Sequence, residues 1–315
     1  MEKLRIVFMG TPEFAVGILD TIVKNNFEVV GVITATDKPA GRGQKLKYSA
    51  VKEYALENNL RLLQPTNLKD EAFLEELKSL NANLQVVVAF RMLPKAVWEM
   101  PKFGTFNLHA SLLPNYRGAA PINWAIINGE TKTGVTTFFI DDKIDTGAII
   151  LSREVAINSE ESAGILHDTL MNLGSEAVVA TLHLIENGNA TATIQTDSED
   201  VKTAYKLNKD NCKIDWNKPG KEIHNLIRGL SPYPAAWTFF KDKDQEWNVK
   251  IYEAKLTAEK HEEVVGKIIT TKKEMKVAVN DGYIEIVQLQ FPGKKNLKTA
   301  ELLNGISLSE EAKAF

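Results

Sequence analysis

The stretch "FNLHASLLP", Phe106–Pro114, sets an amide and an imidazole two residues apart inside an apolar run. Successive side chains of a strand leave opposite faces, so Asn107 and His109 share one face, about 7 Å apart, and Phe106 and Leu108 share the other. An amide offers N–H groups that stay neutral at any pH, and an imidazole donates or accepts a proton near neutral pH. Together they could steady a developing oxyanion and move a proton. The plainer reading is a half-buried strand whose polar side meets solvent or a helix cap. The sharper one is a catalytic pair at a strand's C-terminal end, where open α/β sheets place their ligand crevices.

The elements that would position this pair alternate. "LRIVFMG" reads as a strand, and "TPEFAVGILDTIVKNN" has its apolar residues at helical spacing. The strand "FEVVGVITAT", the helix "YSAVKEYALENN", the strand "LRLLQ", the helix "LKDEAFLEELKSL" and the strand "LQVVVAF" continue the pattern. Then come the strand "TFNLHA", the helix "APINWAIINGE", a strand pair "TGVTTFFI" and "AIILSREVAI", and a long helix over 162–187. Such alternation implies a mostly parallel sheet covered by helices, a Rossmann-like α/β domain over 1–188. The tract "NATATIQTDSEDVKTAYKLNKD" is polar with little periodicity and reads as a linker, 189–206. Beyond it, "IDWNKPGKEIHNLIRGL" is expected to be helical. Short β-rich segments with the turn Asn280-Asp281-Gly282 describe a small OB-like β-barrel over 207–315.

Composition narrows the classes. The 315 residues are 44% hydrophobic and 25% charged, as in a soluble globular chain. Cys212 is the single cysteine, so no intrachain disulfide forms, which favours a reducing compartment. No run reaches the length of a transmembrane helix, and a cytoplasmic protein is expected. The first strand-to-helix turn, Gly10-Thr11-Pro12, has one glycine where a dinucleotide fingerprint needs three, which argues against a nicotinamide dehydrogenase; Walker A is absent. His167, His183, His224 and His261 are scattered without metal-ligand spacing, and no metal is expected. The net charge of −3 conceals an asymmetry: residues 202–315 hold 20 basic against 16 acidic side chains, while the remainder is acidic. A polyanionic partner on one side is compatible with this, as is random surface scatter.

"NLHASLLPNYRGAAPINWAIINGE" followed by "TGVTTFFIDDKIDTGAII" closely resembles the 10-formyltetrahydrofolate-dependent formyltransferases. "GTPEFA" near the start and "DKPAGRGQKL" at 37–46 are similar to the branch of that family that acts on aminoacyl-tRNA. The resemblance covers essentially the whole chain and is strongest over 1–150. It implies a catalytic trio of Asn107, His109 and Asp145, the last in "DDKIDTG". In such a site the amide would donate to the oxyanion formed when an amine adds to the formyl carbon. The carboxylate would orient the imidazole and help relay the amine's proton. Spacing alone does not show this role for Asp145, for which a turn or helix-capping role stands open.

The resemblance also implies that the loop Ser111, Leu112, Leu113 and Pro114 lies against the folate, with Phe90 and Met92 and the loop from Asp141 and Asp142 to Gly147 around the pterin. Family members commonly read Ala-Tyr-Gly-x-Ile-Leu-Pro where this chain has the shorter Phe90-Arg91-Met92-Leu93-Pro94. "KPAGRGQKLK", residues 38–47, holds four cations and no acid and could be a solvated surface loop. By resemblance it engages the tRNA acceptor stem through Lys38, Arg42, Lys45 and Lys47, with Arg42 central because its planar fork donates in pairs. Lys294, Lys295 and Lys298 of the barrel would add phosphate attraction. The implied partners are initiator methionyl-tRNA and 10-formyltetrahydrofolate, for a monomer with no membrane contact. Rival readings are formylation of a small amine, such as a nucleotide-linked amino sugar or glycinamide ribonucleotide, hydrolysis of the formyl donor, and a catalytically inert RNA-binding protein.

Overall fold

A computed structural model describes residues 2–40, 45–196 and 200–315. Contacts divide the chain into two units. The first is Met1–Pro121, Thr133–Val155 and His167–Thr203, and the second is Ile122–Lys132, Ala156–Leu166 and Ala204–Phe315.

The chain begins β1 (Arg5–Gly10), α1 (Glu13–Lys24) and β2 (Glu28–Ile33), then two three-residue strands, β3 (Lys38–Ala40) and β4 (Lys45–Lys47). It continues through α2 (Ala50–Glu57), β5 (Leu62–Leu63), α3 (Glu71–Ser79), β6 (Leu84–Val88), α4 (Lys95–Trp98) and β7 (Thr105–His109). The two-residue β8 (Arg117–Gly118) and α5 (Pro121–Ile127) lead to β9 (Lys132–Phe139), β10 (Ile149–Ala156) and the long α6 (Ala163–Glu186).

Seven strands form the first sheet in the order β10-β9-β7-β6-β1-β2-β5. β1, β2, β5, β6 and β7 pair in parallel, and β9 joins β7 antiparallel. Ile6, Val7, Phe8 and Met9 of β1 are all fully buried, as a central strand covered on both faces requires. Val7, Met9 and Val87 pack with Phe73 and Leu77 of α3 on one face. On the other, α6 lies so close to β7 that a Cβ on Gly174 would come within 2.8 Å of Leu108 Cδ2. The sheet register sets Asn107 beside Val87, on the α3 face, and puts Phe106 and Leu108 on the α6 face. Burial of that apolar face turns Asn107 and His109 outward from α6.

The second unit holds α7 (Gly220–Leu230), after the two-residue β11 (Thr203–Ala204), and the strands β12 (Ala236–Asp242), β13 (Gln245–Thr257), β14 (Ile268–Thr270), β15 (Met275–Val279) and β16 (Gly282–Gln290). The short β17 (Leu297–Lys298), α8 (Thr299–Leu303) and β18 (Lys313–Ala314) complete it. The sheet runs β14-β15-β16-β13-β12-β18, and the Ala314 N–H donates to the Gly266 carbonyl at 2.7 Å, so the antiparallel barrel nearly closes. Its core includes Ile223, Ile227, Phe240, Val249, Ile251, Val277, Ile284 and Ile286.

Two local expectations change. The helix read from "IDWNKPGKEIHNLIRGL" starts only at Gly220. Before it, Asp215 Oδ1 accepts from the Asn217 N–H at 3.1 Å in a tight turn, and Pro219 occupies the helix N-cap. The strand read from "LRLLQ" shrinks to Leu62–Leu63, at the edge of its sheet.

Candidate active site

β7 ends at His109, whose ring is 7% exposed. Its Nε2 lies 2.7 Å from the Tyr116 carbonyl oxygen. A carbonyl only accepts, so Nε2 carries the hydrogen and Nδ1 keeps the lone pair in the neutral ring. That Nδ1 faces Asp145 Oδ2 at 3.8 Å, a spacing for an ion pair once the ring is protonated and too long for a direct hydrogen bond. The sequence separates the two residues widely, and the fold brings them together. Asn107, half-buried on the same face of β7, has its backbone opposite Val87 and Phe138. Its side-chain amide makes no hydrogen bond among the described residues.

Asp145 is held rather than merely near. The Gly118 N–H donates to its Oδ2 at 2.9 Å, and its backbone takes φ +55°. The left-handed region costs most L-residues about 1–2 kcal/mol, and aspartate is among the few that adopt it singly. Two residues on, Gly147 passes so near β9 that a Cβ there would sit 1.6 Å from the Phe139 carbonyl oxygen, so no side chain fits. The Asp-Thr-Gly sequence is therefore a turn whose glycine lets it close and whose aspartate is aimed at the imidazole.

The neighbouring carboxylate does something else. Asp141 Oδ1 accepts from the Lys143 N–H at 3.0 Å and from Thr146 Oγ1 at 2.8 Å, bracing its own loop. Asp142 is exposed.

The loop after β7 is pinned by Thr136, which motif reading passed over, and by its own Ser111. Thr136, opposite His109 in the sheet and fully buried, donates from Oγ1 to the Ser111 carbonyl at 2.7 Å and accepts from the Leu113 N–H at 3.2 Å. Ser111 is buried and donates from Oγ to the Asn115 carbonyl at 2.7 Å. Leu113 is buried, while Leu112 and Pro114 are half-buried, and the Leu113–Pro114 peptide is cis. Phe90 is half-buried over the core that holds Val87 and Leu93, whereas Met92 stands 66% exposed. No pattern in the strand singles out Thr136, since Thr133, Thr136 and Thr137 are all buried there. Nothing in sequence marks the Tyr116 carbonyl, since every residue supplies one.

Of the basic residues singled out, Lys47 is exposed on β4 beside the exposed Leu46 and Tyr48. Lys38 and Lys45 belong to β3 and β4, whose backbones pair antiparallel. Arg42 lies outside the described residues. Lys294, Lys295 and Lys298 are exposed in the second unit. Among the described residues no cluster of three or more His, Cys, Asp or Glu could hold a metal ion, and no helix is long and apolar enough to cross a membrane.

Comparison with known proteins bears on this arrangement. Residues 4–182 match the family described as formyl transferase, and residues 206–307 match the formyl transferase C-terminal domain. The chain is 75% identical over 315 residues to the methionyl-tRNA formyltransferase of Flavobacterium johnsoniae, covering 100% of both. It is 54% identical over 314 residues to that of Bacteroides thetaiotaomicron, covering 98% of each. Among solved structures, the N-formyltransferase from Helicobacter canadensis in complex with folinic acid and dTDP-3-aminofucose aligns with a TM-score of 0.64 at 25% identity, over 90% of this chain and 98% of that one. The chain belongs to the formyltransferase family, among its methionyl-tRNA formyltransferases.

Proposed function

We propose that the chain transfers the formyl group of 10-formyltetrahydrofolate to the free amino group of initiator methionyl-tRNA, in the cytoplasm. The observation that carries the chemistry is the strand end where Asn107 and His109 share a face and Asp145 stands 3.8 Å from the imidazole. The amine nitrogen bonds to the formyl carbon, the bond from that carbon to N10 breaks, and one amine proton must leave. Nδ1 of His109 is the base for that proton, because Nε2 is already tied to the Tyr116 carbonyl. Asp145 then faces an imidazolium and stabilises it, and the same proton can pass to the departing nitrogen. The Asn107 amide donates to the formyl oxygen as it gains negative charge. No side chain need act as a covalent nucleophile, since the amine is the nucleophile.

The residues suit a flat, partly apolar donor. Phe90 and the exposed Met92, the braced Ser111–Pro114 loop and the Asp141–Asp142 loop are the surfaces we assign to the folate. Arg42, with Lys38, Lys45 and Lys47, is assigned to the tRNA, and Lys294 and Lys295 to its phosphates.

The test mixes the purified protein with 10-formyltetrahydrofolate and methionyl-tRNA and measures the formylmethionyl-tRNA formed. Formylation whose KM for tRNA rises steeply with added salt supports the reading. In the Arg42→Ala variant that KM should rise about tenfold with folate binding unchanged. No formylation of methionyl-tRNA alongside formylation of a nucleotide-linked amino sugar would favour the small-amine reading, which the Helicobacter canadensis likeness makes the natural control.

A further inference from the structure

We infer that Gln195, in the polar tract that follows α6, is a positioning residue of the active site: it locks the backbone of Asp145 in the orientation that faces His109. Its Nε2 donates to the Asp145 carbonyl at 2.9 Å and to the Gly147 carbonyl at 2.8 Å. Its Oε1 accepts from Arg117 Nε at 3.1 Å and Nη2 at 2.8 Å. Both amide hydrogens and the amide oxygen are thus engaged, and the orientation is forced, because carbonyls only accept and a guanidinium only donates. Glutamate would present oxygens to two carbonyls, and lysine would present a donor to a guanidinium.

The contacts close a circuit. Arg117 grips Gln195, Gln195 grips the backbone on both sides of Thr146, and Gly118, next to Arg117, donates its N–H to Asp145 Oδ2 at 2.9 Å. Main chain and carboxylate of Asp145, whose φ is +55°, are therefore held from one direction each. The same tract is fixed at Thr193, whose N–H and C=O both bond to Ile149 at 2.8 Å. At its other end the Lys202 carbonyl accepts from the Tyr116 N–H at 2.6 Å, and the Tyr116 carbonyl holds the imidazole. A segment that reads as a connector braces both members of the His109–Asp145 pair.

The inference rests on the formyl-transfer reading, and the test separates the two. Wild type, Gln195→Ala and Gln195→Glu are compared in kcat, in KM for both substrates and in the His109–Asp145 separation seen in crystal structures. Glutamate keeps the length and the Arg117 contact but removes both donors. Both variants should lose about tenfold or more in kcat, with KM within about twofold, and Asp145 should withdraw by about 1 Å. Gln195→Glu should be no better than Gln195→Ala. The inference is overturned if Asp145 keeps its place in the variants, if kcat is unchanged, or if Gln195→Glu restores it. Wild type that formylates nothing refutes the parent reading instead, and the crystallographic separation still decides the positioning role.

Discussion

Each unit of the protein buries a histidine beside a carboxylate, and the two pairs differ in how the carboxylate is held. In the first unit His109 faces Asp145 at 3.8 Å, and the Asp145 side chain is 17% exposed, fixed by the Gly118 N–H and by its own turn. In the barrel unit His224 Nε2 lies 3.5 Å from Glu160 Oε2, and the Glu160 side chain is 72% exposed. The second pair is the closer one, yet its carboxylate is free to leave. Proximity of a histidine and an acid is common in a folded chain, and what separates the two pairs is how firmly the carboxylate is placed.

Electrostatics follows the same division. Burial pushes the His224 imidazole below its usual range, with Glu160 opposing and Arg228 adding to the shift. Arg228 itself is buried, and its guanidinium donates to Asn225 Oδ1 at 2.8 and 3.0 Å and to the Glu161 carbonyl at 3.0 Å. These groups tie α7 to the 156–166 segment within one unit, a structural task.

The largest expected effect breaks the comparison on activity. His109→Ala should lower the formyl-transfer rate by about 10²-fold or more with the fold intact, whereas His224→Ala should leave the rate per folded molecule within about threefold. Comparable losses in steady-state assays of both would erase the distinction.

A smaller effect concerns stability. Burial lowers the folded His224 below its unfolded value near 6.5, so the unfolded chain binds more protons in the interval between. The contribution is present above about pH 6.5 and is lost as pH falls from there towards the folded value. Thermal melts of wild type should fall in that window, and those of His224→Gln should fall less. The smallest effect belongs to Glu160→Gln, expected to change stability by about 0.5 kcal/mol or less because the carboxylate is mostly exposed. A large loss there would show that an exposed partner can matter as much as a fixed one.

Much of the frame was legible in the chain. The 162–187 helix is observed as Ala163–Glu186, and the alternation of "FNLH" placed Asn107 and His109 on one face because side chains alternate along an unbulged strand. The approach of Asp145 was not legible from spacing, since it depends on the Gly147 turn closing against Phe139. Gln195 was hidden for a different reason: a tract without periodicity reads as a connector even when its main chain and one amide reach back into the site. Residues 122–132 and 156–166 group with the barrel unit although nothing in composition sets them apart. The start of α7 was missed because helical spacing runs through Asp215–Pro219, where side-chain hydrogen bonds favour a turn.

The most direct test of the central claim is the single-turnover rate of formyl transfer to methionyl-tRNA by Asp145→Asn, measured beside wild type at saturating folate. The change keeps the shape of the side chain and deletes the charge that faces the imidazolium. The account predicts a loss of about 10²-fold with folate affinity unchanged. A rate within a factor of about three of wild type would contradict it, for the held carboxylate would then contribute nothing to the reaction.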